Sequence, residues 1–179
     1  MVVSSSPRRI VLTGAPGAGK TALITELAQR GLRIEPEAAR VILQQAGGMA
    51  MRADRPLEFA LAMFAAEEAA FHAASEFALT IFDRGLCDTV GFLRLEGRDV
   101  PPALDLACRR LRYDEPVFRA PHWPDIYRSD AERIQTPAEA VESDRAVTRA
   151  WQSYGYTVVD LPFVSVTERA DALLAALDG

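Results

Sequence analysis

Lysine is almost absent from this chain. Of its 20 basic residues 19 are arginine, so the bias that replaced lysine elsewhere has left one position, Lys20, untouched. Cysteine and histidine are scarce as well: Cys87, Cys108, His72 and His122 are too few and too scattered for a zinc cage or a disulfide framework. The thiols read as reduced and the chain as cytoplasmic. Long apolar runs are also missing. The longest, Phe59 to Ala66, has eight residues, and the first seven residues lack a basic segment followed by an apolar one. Neither a membrane span nor a secretion signal is expected. Positive charge is not in excess: a net charge of -5 and a pI near 5.1 argue against nucleic acid as the main partner. What the 179 residues do have is an ordinary globular balance, 49% apolar and 25% charged. That balance fits a single domain, 1–179, built round one core and serving a small-molecule partner. It leaves the oligomeric state open.

Short β-branched or apolar segments alternate with segments of helical period. Strands are expected at Arg8–Thr13, Leu32–Glu35, Phe77–Phe82, Glu115–Arg119 and Tyr156–Leu161. Helices are expected at Thr21–Arg30, from Pro36 to about Ala46, and from Pro56 to about Ser75, the last with Leu57, Leu61, Phe64 and Phe71 on one face. Further helices follow at Cys87–Leu95, Pro102–Leu111, Pro137–Ser153 and Val166–Leu177. Gly47 to Pro56 shows no period, and Pro121 to Thr136 reads as a polar loop. The alternation predicts an α/β fold with an open parallel sheet, helices on both faces, and ligands beyond the carboxyl ends of the strands.

Gly14-Ala15-Pro16-Gly17-Ala18-Gly19-Lys20-Thr21 matches the phosphate-binding pattern G-x-x-x-x-G-K-[ST], and it lies between a strand and a helix, where that pattern works. Glycines let successive N–H groups turn inward, and the helix N-terminus adds positive potential. Lys20 reaches the β and γ phosphates, and Thr21 can ligate magnesium. A glycine-rich turn with a surface lysine is the ordinary alternative, but chance produces the pattern only about once in several hundred chains of this length.

Asp83 ends the third strand, where P-loop proteins place the acid that holds magnesium; a helix cap is the ordinary alternative. Its neighbour is Arg84 rather than a second acid. A cation beside the carboxylate suits the grip on a phosphoryl group and favours transfer over hydrolysis. Arg119, Arg128 and Arg133 surround the polar loop, with Asp130 and Glu132 interspersed. Guanidinium forks suit phosphate oxygens, and nucleotide kinases carry a lid at such a loop; local ion pairs are the alternative. Glu35, Glu37 and Arg40 follow the second strand, where a carboxylate can hold a sugar hydroxyl and an arginine orient it, or Glu37 and Arg40 can simply pair. Trp123 either packs or stacks on a base.

These blocks resemble a known family: the small P-loop domains classed as AAA-type ATPases and grouped with the nicotinamide riboside kinase domain of the bacterial NAD regulator. The resemblance rests on Gly14 to Thr21, Pro36 to Arg40, Phe82 to Asp88, Tyr113 to Phe118, Ile126 to Arg133 and Tyr154 to Tyr156. It implies a nucleoside or nucleotide kinase-like fold with strand order 2-3-1-4-5 and a lid loop, using ATP with magnesium. It also implies that Glu37, Arg40, Asp83, Arg84, Asp130 and Arg133 line the site. Lys20, Asp83, Arg84 and Arg133 then serve catalysis, Arg128 the nucleotide, Thr21 and Asp83 the metal, and Glu37, Arg40, Asp88 and Asp130 the acceptor. The Asp83-Arg84-Gly85 form departs from that of the riboside kinase, so its substrate does not carry over. The expected function is transfer of the γ-phosphate of ATP to a hydroxyl of a small metabolite. The alternative is a nucleotide-dependent switch or slow ATPase acting through a protein partner.

Overall fold

Five parallel strands form the centre of the protein, in a computed structural model that describes residues 6–126 and 136–178. In chain order the elements are β1 (Arg8–Gly14), α1 (Lys20–Gln29), β2 (Arg33–Glu35), α2 (Ala38–Leu43), α3 (Gly48–Asp54), α4 (Pro56–Ala73), β3 (Leu79–Asp83), α5 (Leu86–Leu95), α6 (Pro102–Arg110), β4 (Val117–Ala120), α7 (Pro137–Ser153), β5 (Val158–Asp160) and α8 (Val166–Asp178). The strand order is β2-β3-β1-β4-β5. Such crossovers bring every carboxyl end of the sheet to one edge. Register pairs Ile10 with Ile81, Val11 with Phe82 and Leu12 with Asp83.

Both faces of β1 are covered, which is why it reads as an unbroken apolar run. Ile10 and Leu12, with Ile81 and Phe118, pack against Leu23 and Leu27 of α1 and Ala170 and Leu173 of α8. Val11, Phe82 and Val117 face the other way, onto Leu86, Val90 and Leu93 of α5 and Val147 and Trp151 of α7. A smaller cluster of Ile42, Phe59 and Met63 joins α2 to α4. Among the described residues no helix is long and apolar enough to cross a membrane.

Several boundaries differ from the sequence expectation. The aperiodic stretch after Gly47 is a helix, α3: Met51 closes against the Ile42–Phe59–Met63 cluster, a tertiary contact that a seven-residue segment does not announce. Gly48 lies so close under α2 that a Cβ there would stand 2.0 Å from the Ile42 carbonyl oxygen. Helix α2 accordingly ends at Leu43 rather than Ala46. Strand β3 begins two residues late, at Leu79, and includes Asp83. Strand β4 runs Val117–Ala120, shifted toward the site, and β5 shrinks to Val158–Asp160.

The buried face of α4 is also different. Leu57 and Leu61 are exposed, and the stripe that faces inward is Phe59, Ala60, Met63, Glu67 and Phe71. An alanine-rich helix that is apolar nearly all round gives no strong period from which to choose a face.

Candidate active site

The phosphate loop begins where β1 runs against β4. Gly14 has φ 121°, and a Cβ at this position would meet the Ala120 carbonyl oxygen at 2.1 Å, so only glycine fits. The Ala15 N–H donates to that same oxygen at 3.0 Å. From the other side Arg169 of α8, 1% exposed, donates to the Ala18 carbonyl at 3.0 Å. The loop is therefore held at both ends.

Lys20, the first residue of α1, is buried and folded back on the loop. Its Nζ donates to Ala15 O at 2.7 Å and Gly14 O at 3.1 Å. Burial, helped by the positive charge of Arg84, brings its pKa down to about 7, although Asp83, Glu37 and Asp88 pull the other way. Thr21 follows at the exposed start of the helix.

Three carboxylates and one guanidinium gather beyond Lys20. Arg84, in the turn between β3 and α5, is the one non-glycine residue with positive φ (73°) among those described, and its N–H donates to Leu12 O at 3.0 Å. This conformation costs on the order of 1 kcal/mol and aims the side chain back along the sheet edge. Nε donates to Glu37 Oε1 at 3.0 Å, and Nη1 donates to Asp88 Oδ1 at 2.9 Å. Burial works to discharge Arg84, but the carboxylates outweigh it and keep it charged.

Asp88, on the first turn of α5, is saturated. Oδ1 accepts from Thr13 Oγ1 (2.6 Å) and Arg84, and Oδ2 accepts from Gly85 N (3.1 Å) and Trp151 Nε1 (2.9 Å). Burial pushes the Glu37 carboxyl up, yet Arg84, Lys20 and Arg40 together hold it below the usual carboxylate range. Arg40 is a looser partner, its Nε 3.9 Å from Glu37 Oε2. Asp83 differs from both. Its Oδ1 is buried with no hydrogen-bond partner among the described residues, and burial followed by the charge of Glu37 raises its pKa.

A cavity of about 510 Å³ opens on this group. Pro16, Gly17, Gly19, Lys20 and Thr21 form one end, and Glu37, Arg40, Asp83, Arg84 and Asp88 form the middle. Phe59, Met63, Phe92 and Val147 make an apolar far end, with Glu67 among them and Arg52 also on the lining. Such a volume lies within the range of about 300–1,000 Å³ usual for small-ligand sites.

The sequence-expected residues Lys20, Thr21, Glu37, Arg40, Asp83, Arg84 and Asp88 thus meet at one cavity. Arg128, Asp130 and Arg133, with the lid assigned to their loop, lie outside the described residues. Arg119 does not join the group: Asp144 takes Nε and Nη2 at 3.1 and 3.0 Å, and Asp160 takes Nη1 at 3.1 Å, so it ties β4 to α7 and β5. Trp123 tilts against Phe163, with ring centroids 5.1 Å apart. Arg169, Arg52 and Glu67 escaped the sequence reading. For Glu67 the available signal was its place one turn after Met63 and one turn before Phe71.

Solved structures with a similar architecture include kinases, at identities low enough that the likeness concerns the fold alone. A deoxyadenosine kinase from M. mycoides with dCMP and dCDP bound superposes with a TM-score of 0.72 at 15% identity, covering 95% of this chain and 98% of that one. Thymidylate kinase from Candida albicans gives 0.69 at 10% identity, covering 97% and 92%. The NadR protein in complex with NR gives 0.65 at 16% identity over 94% of this chain, which spans half of that one. No curated protein has a matching sequence. A family model described as an AAA domain matches residues 9–169, nearly the whole length, and the chain belongs to that family.

Proposed function

We propose that this protein is a kinase that transfers the γ-phosphate of ATP to a hydroxyl group of a small metabolite of nucleoside or riboside type. The observation that carries the reading is the continuity of the cavity: the phosphate loop opens directly into a cleft of about 510 Å³ with an apolar far end. A hydrolase needs only water there. A chamber with room for a second substrate suits transfer instead, and it favours the kinase over a switch that acts through a partner protein. The acceptors and nucleotides bound by the similar folds support it too: a deoxyadenosine kinase holding dATP or dCTP, and NadR holding NR.

The loop N–H groups and the α1 N-terminus hold the phosphates, and Lys20 swings from its two carbonyl partners to the β and γ oxygens. Magnesium fits the residues present: Asp83 Oδ1 is a buried oxygen with no protein donor among the described residues, and Thr21 offers a hydroxyl beside the phosphates. A site of this kind needs only one or two protein oxygens, the phosphates and water supplying the rest. When bound, the ion neutralises phosphate charge as the β–γ bond breaks. The acceptor oxygen attacks the γ phosphorus, the bridging electron pair leaves with ADP, and the hydroxyl proton must pass to a base.

Glu37 and Asp88 are committed to Arg84, so their task is to fix the guanidinium over the transferring group. Asp83 is the uncommitted carboxylate and serves the reaction directly, as metal ligand or proton acceptor. A panel of nucleosides, ribosides and small alcohols, assayed for acceptor-stimulated ADP release against Asp83→Asn as the blank, tests the proposal. Stimulation that the variant loses is expected. ADP release at the water rate with every acceptor, but accelerated by a protein partner, would transfer the assignment to a switch.

A further inference from the structure

The chamber wall beyond Lys20 is largely apolar around Glu67. Phe59 and Met63 of α4, Phe92 of α5 and Val147 of α7 build it, the two phenylalanines packed edge to face with centroids 5.5 Å apart. Glu67 stands in this wall at 8% exposure. Its Oε2 accepts a hydrogen bond from Thr89 Oγ1 at 2.9 Å; Oε1 has no donor among the described residues, and no arginine or lysine among them pairs with the group. A carboxylate buried without a counter-ion costs several kcal/mol, so such a group keeps its proton instead.

The charges around it agree. Asp88 and Cys87 face Glu67 from α5, Glu37 from the start of α2, and Tyr113 from the segment before β4. Arg84, a cation that acts on it, is already shared by Glu37 and Asp88; Lys20, Arg40 and Arg52 line the same cavity without an ion pair to Glu67. Burial first, then the negative charge of Asp88, push the Glu67 pKa up to about 8, against the Thr89 hydrogen bond and Arg84. With Thr89 as donor to Oε2, Oε1 is the oxygen left to carry the proton.

We propose that Glu67 recognises the phosphate acceptor, offering its carboxyl O–H from the chamber wall to a ring nitrogen or carbonyl oxygen on a flat, uncharged body whose hydroxyl reaches toward Asp83 and Lys20. This rests on the kinase reading of the site. The substrate class it selects is a nucleoside with a neutral base: the base lies against the apolar wall made by Phe59, Met63 and Phe92, and Glu67 satisfies a polar atom of the base that this wall would otherwise leave unpaired. A positively charged ring would instead call for the carboxylate form of Glu67.

The test uses the full chain, the variants Glu67→Leu and Glu67→Gln, and adenosine, cytidine, uridine and nicotinamide riboside as probes. Leucine in an apolar wall preserves the fold, and glutamine keeps an uncharged donor. Glu67→Leu is expected to raise the acceptor KM about ten- to hundredfold, the cost of leaving a buried polar atom of the acceptor unpaired, with the ATP KM changed less than about twofold. Glu67→Gln keeps the acceptor KM within about threefold of wild type. Wild-type acceptor KM rises above about pH 8 as Glu67 ionises, whereas the glutamine variant does not follow; comparing the two cancels the titration of Lys20. An unchanged acceptor KM in Glu67→Leu overturns the inference while leaving the kinase intact, and so does a shared pH profile. Preference for the cationic riboside, strengthening above about pH 8, overturns it as well. A wild-type protein that neither binds nor phosphorylates any probe overturns both readings together.

Discussion

Nucleotide binding should draw a proton from solution. In the ligand-free protein Lys20 is enclosed by its own loop and pushed by Arg84, so its pKa stands at about 7. Phosphate oxygens in contact with Nζ supply the counter-charge that burial withheld, and they return the group to its ordinary range near 10. At about pH 8 the free protein carries about 0.1 of a proton on Lys20 and the complex about 1, so binding takes up about 0.9 of a proton. Near pH 6 the same step takes up only about 0.1. The sign is fixed by the direction of the shift: a lysine lowered in the free state and raised in the complex binds protons on ligation. Affinity for Mg-ATP should correspondingly weaken about tenfold for each unit of pH above about 7, until the pKa of the complex is reached. Calorimetric titration at about pH 8 in buffers of different ionisation enthalpy reads the uptake directly. Lys20→Ala should lose both the heat and the nucleotide-dependent rise in Tm. Proton uptake near zero at about pH 8, with binding intact, would refute the enclosed, half-neutral lysine.

Other consequences follow from the same geometry. Arg84→Lys keeps a charge but cannot bond Glu37 and Asp88 together, so turnover should fall about 10²-fold while the Kd for Mg-ATP moves less than about threefold; equal losses in the two would make Arg84 a ground-state phosphate contact. Gly14→Ala places a methyl group 2.1 Å from the Ala120 carbonyl oxygen, and thermal unfolding should register a loss of about 3 kcal/mol or more; an unchanged Tm would mean that β1 and β4 are not in this contact. Asp83→Asn keeps the size of the side chain and should retain most of the nucleotide thermal shift while turnover drops about 10²-fold or more; full acceptor-dependent activity in this variant would remove Asp83 from the chemistry and move the test to Glu37.

How far the sequence could be read depended on whether a residue's role was local. The phosphate loop was legible because its glycines, lysine and threonine act through a fixed spacing on one turn of chain. Asp83 and Arg84 were legible because a strand end in a parallel sheet always reaches the ligand edge. Glu37 and Arg40 followed from the same rule at β2. For Arg119 the sequence left phosphate contact and ion pairing both open; the structure shows ion pairs, to Asp144 and Asp160, partners set by how α7 and β5 pack, which no local pattern encodes. Helix α3 was missed since its seven residues gain their stability from Met51 against another helix, not from propensity. Glu67 was hidden by the composition of α4: where nearly every position is apolar, the buried stripe cannot be told from the exposed one, and a carboxyl in it looks like surface charge.

Transfer of phosphate to carbon-bound oxygen is the central claim, and isotope tracing tests it most directly. The protein is incubated with magnesium, an acceptor panel and ATP carrying ¹⁸O on its γ-phosphoryl oxygens, and the products are resolved by mass spectrometry. The account predicts that the label appears in a phosphomonoester of one acceptor, at a rate well above its appearance in inorganic phosphate, and that Asp83→Asn suppresses it. Label found in inorganic phosphate alone, at the same rate with and without every acceptor, would contradict it.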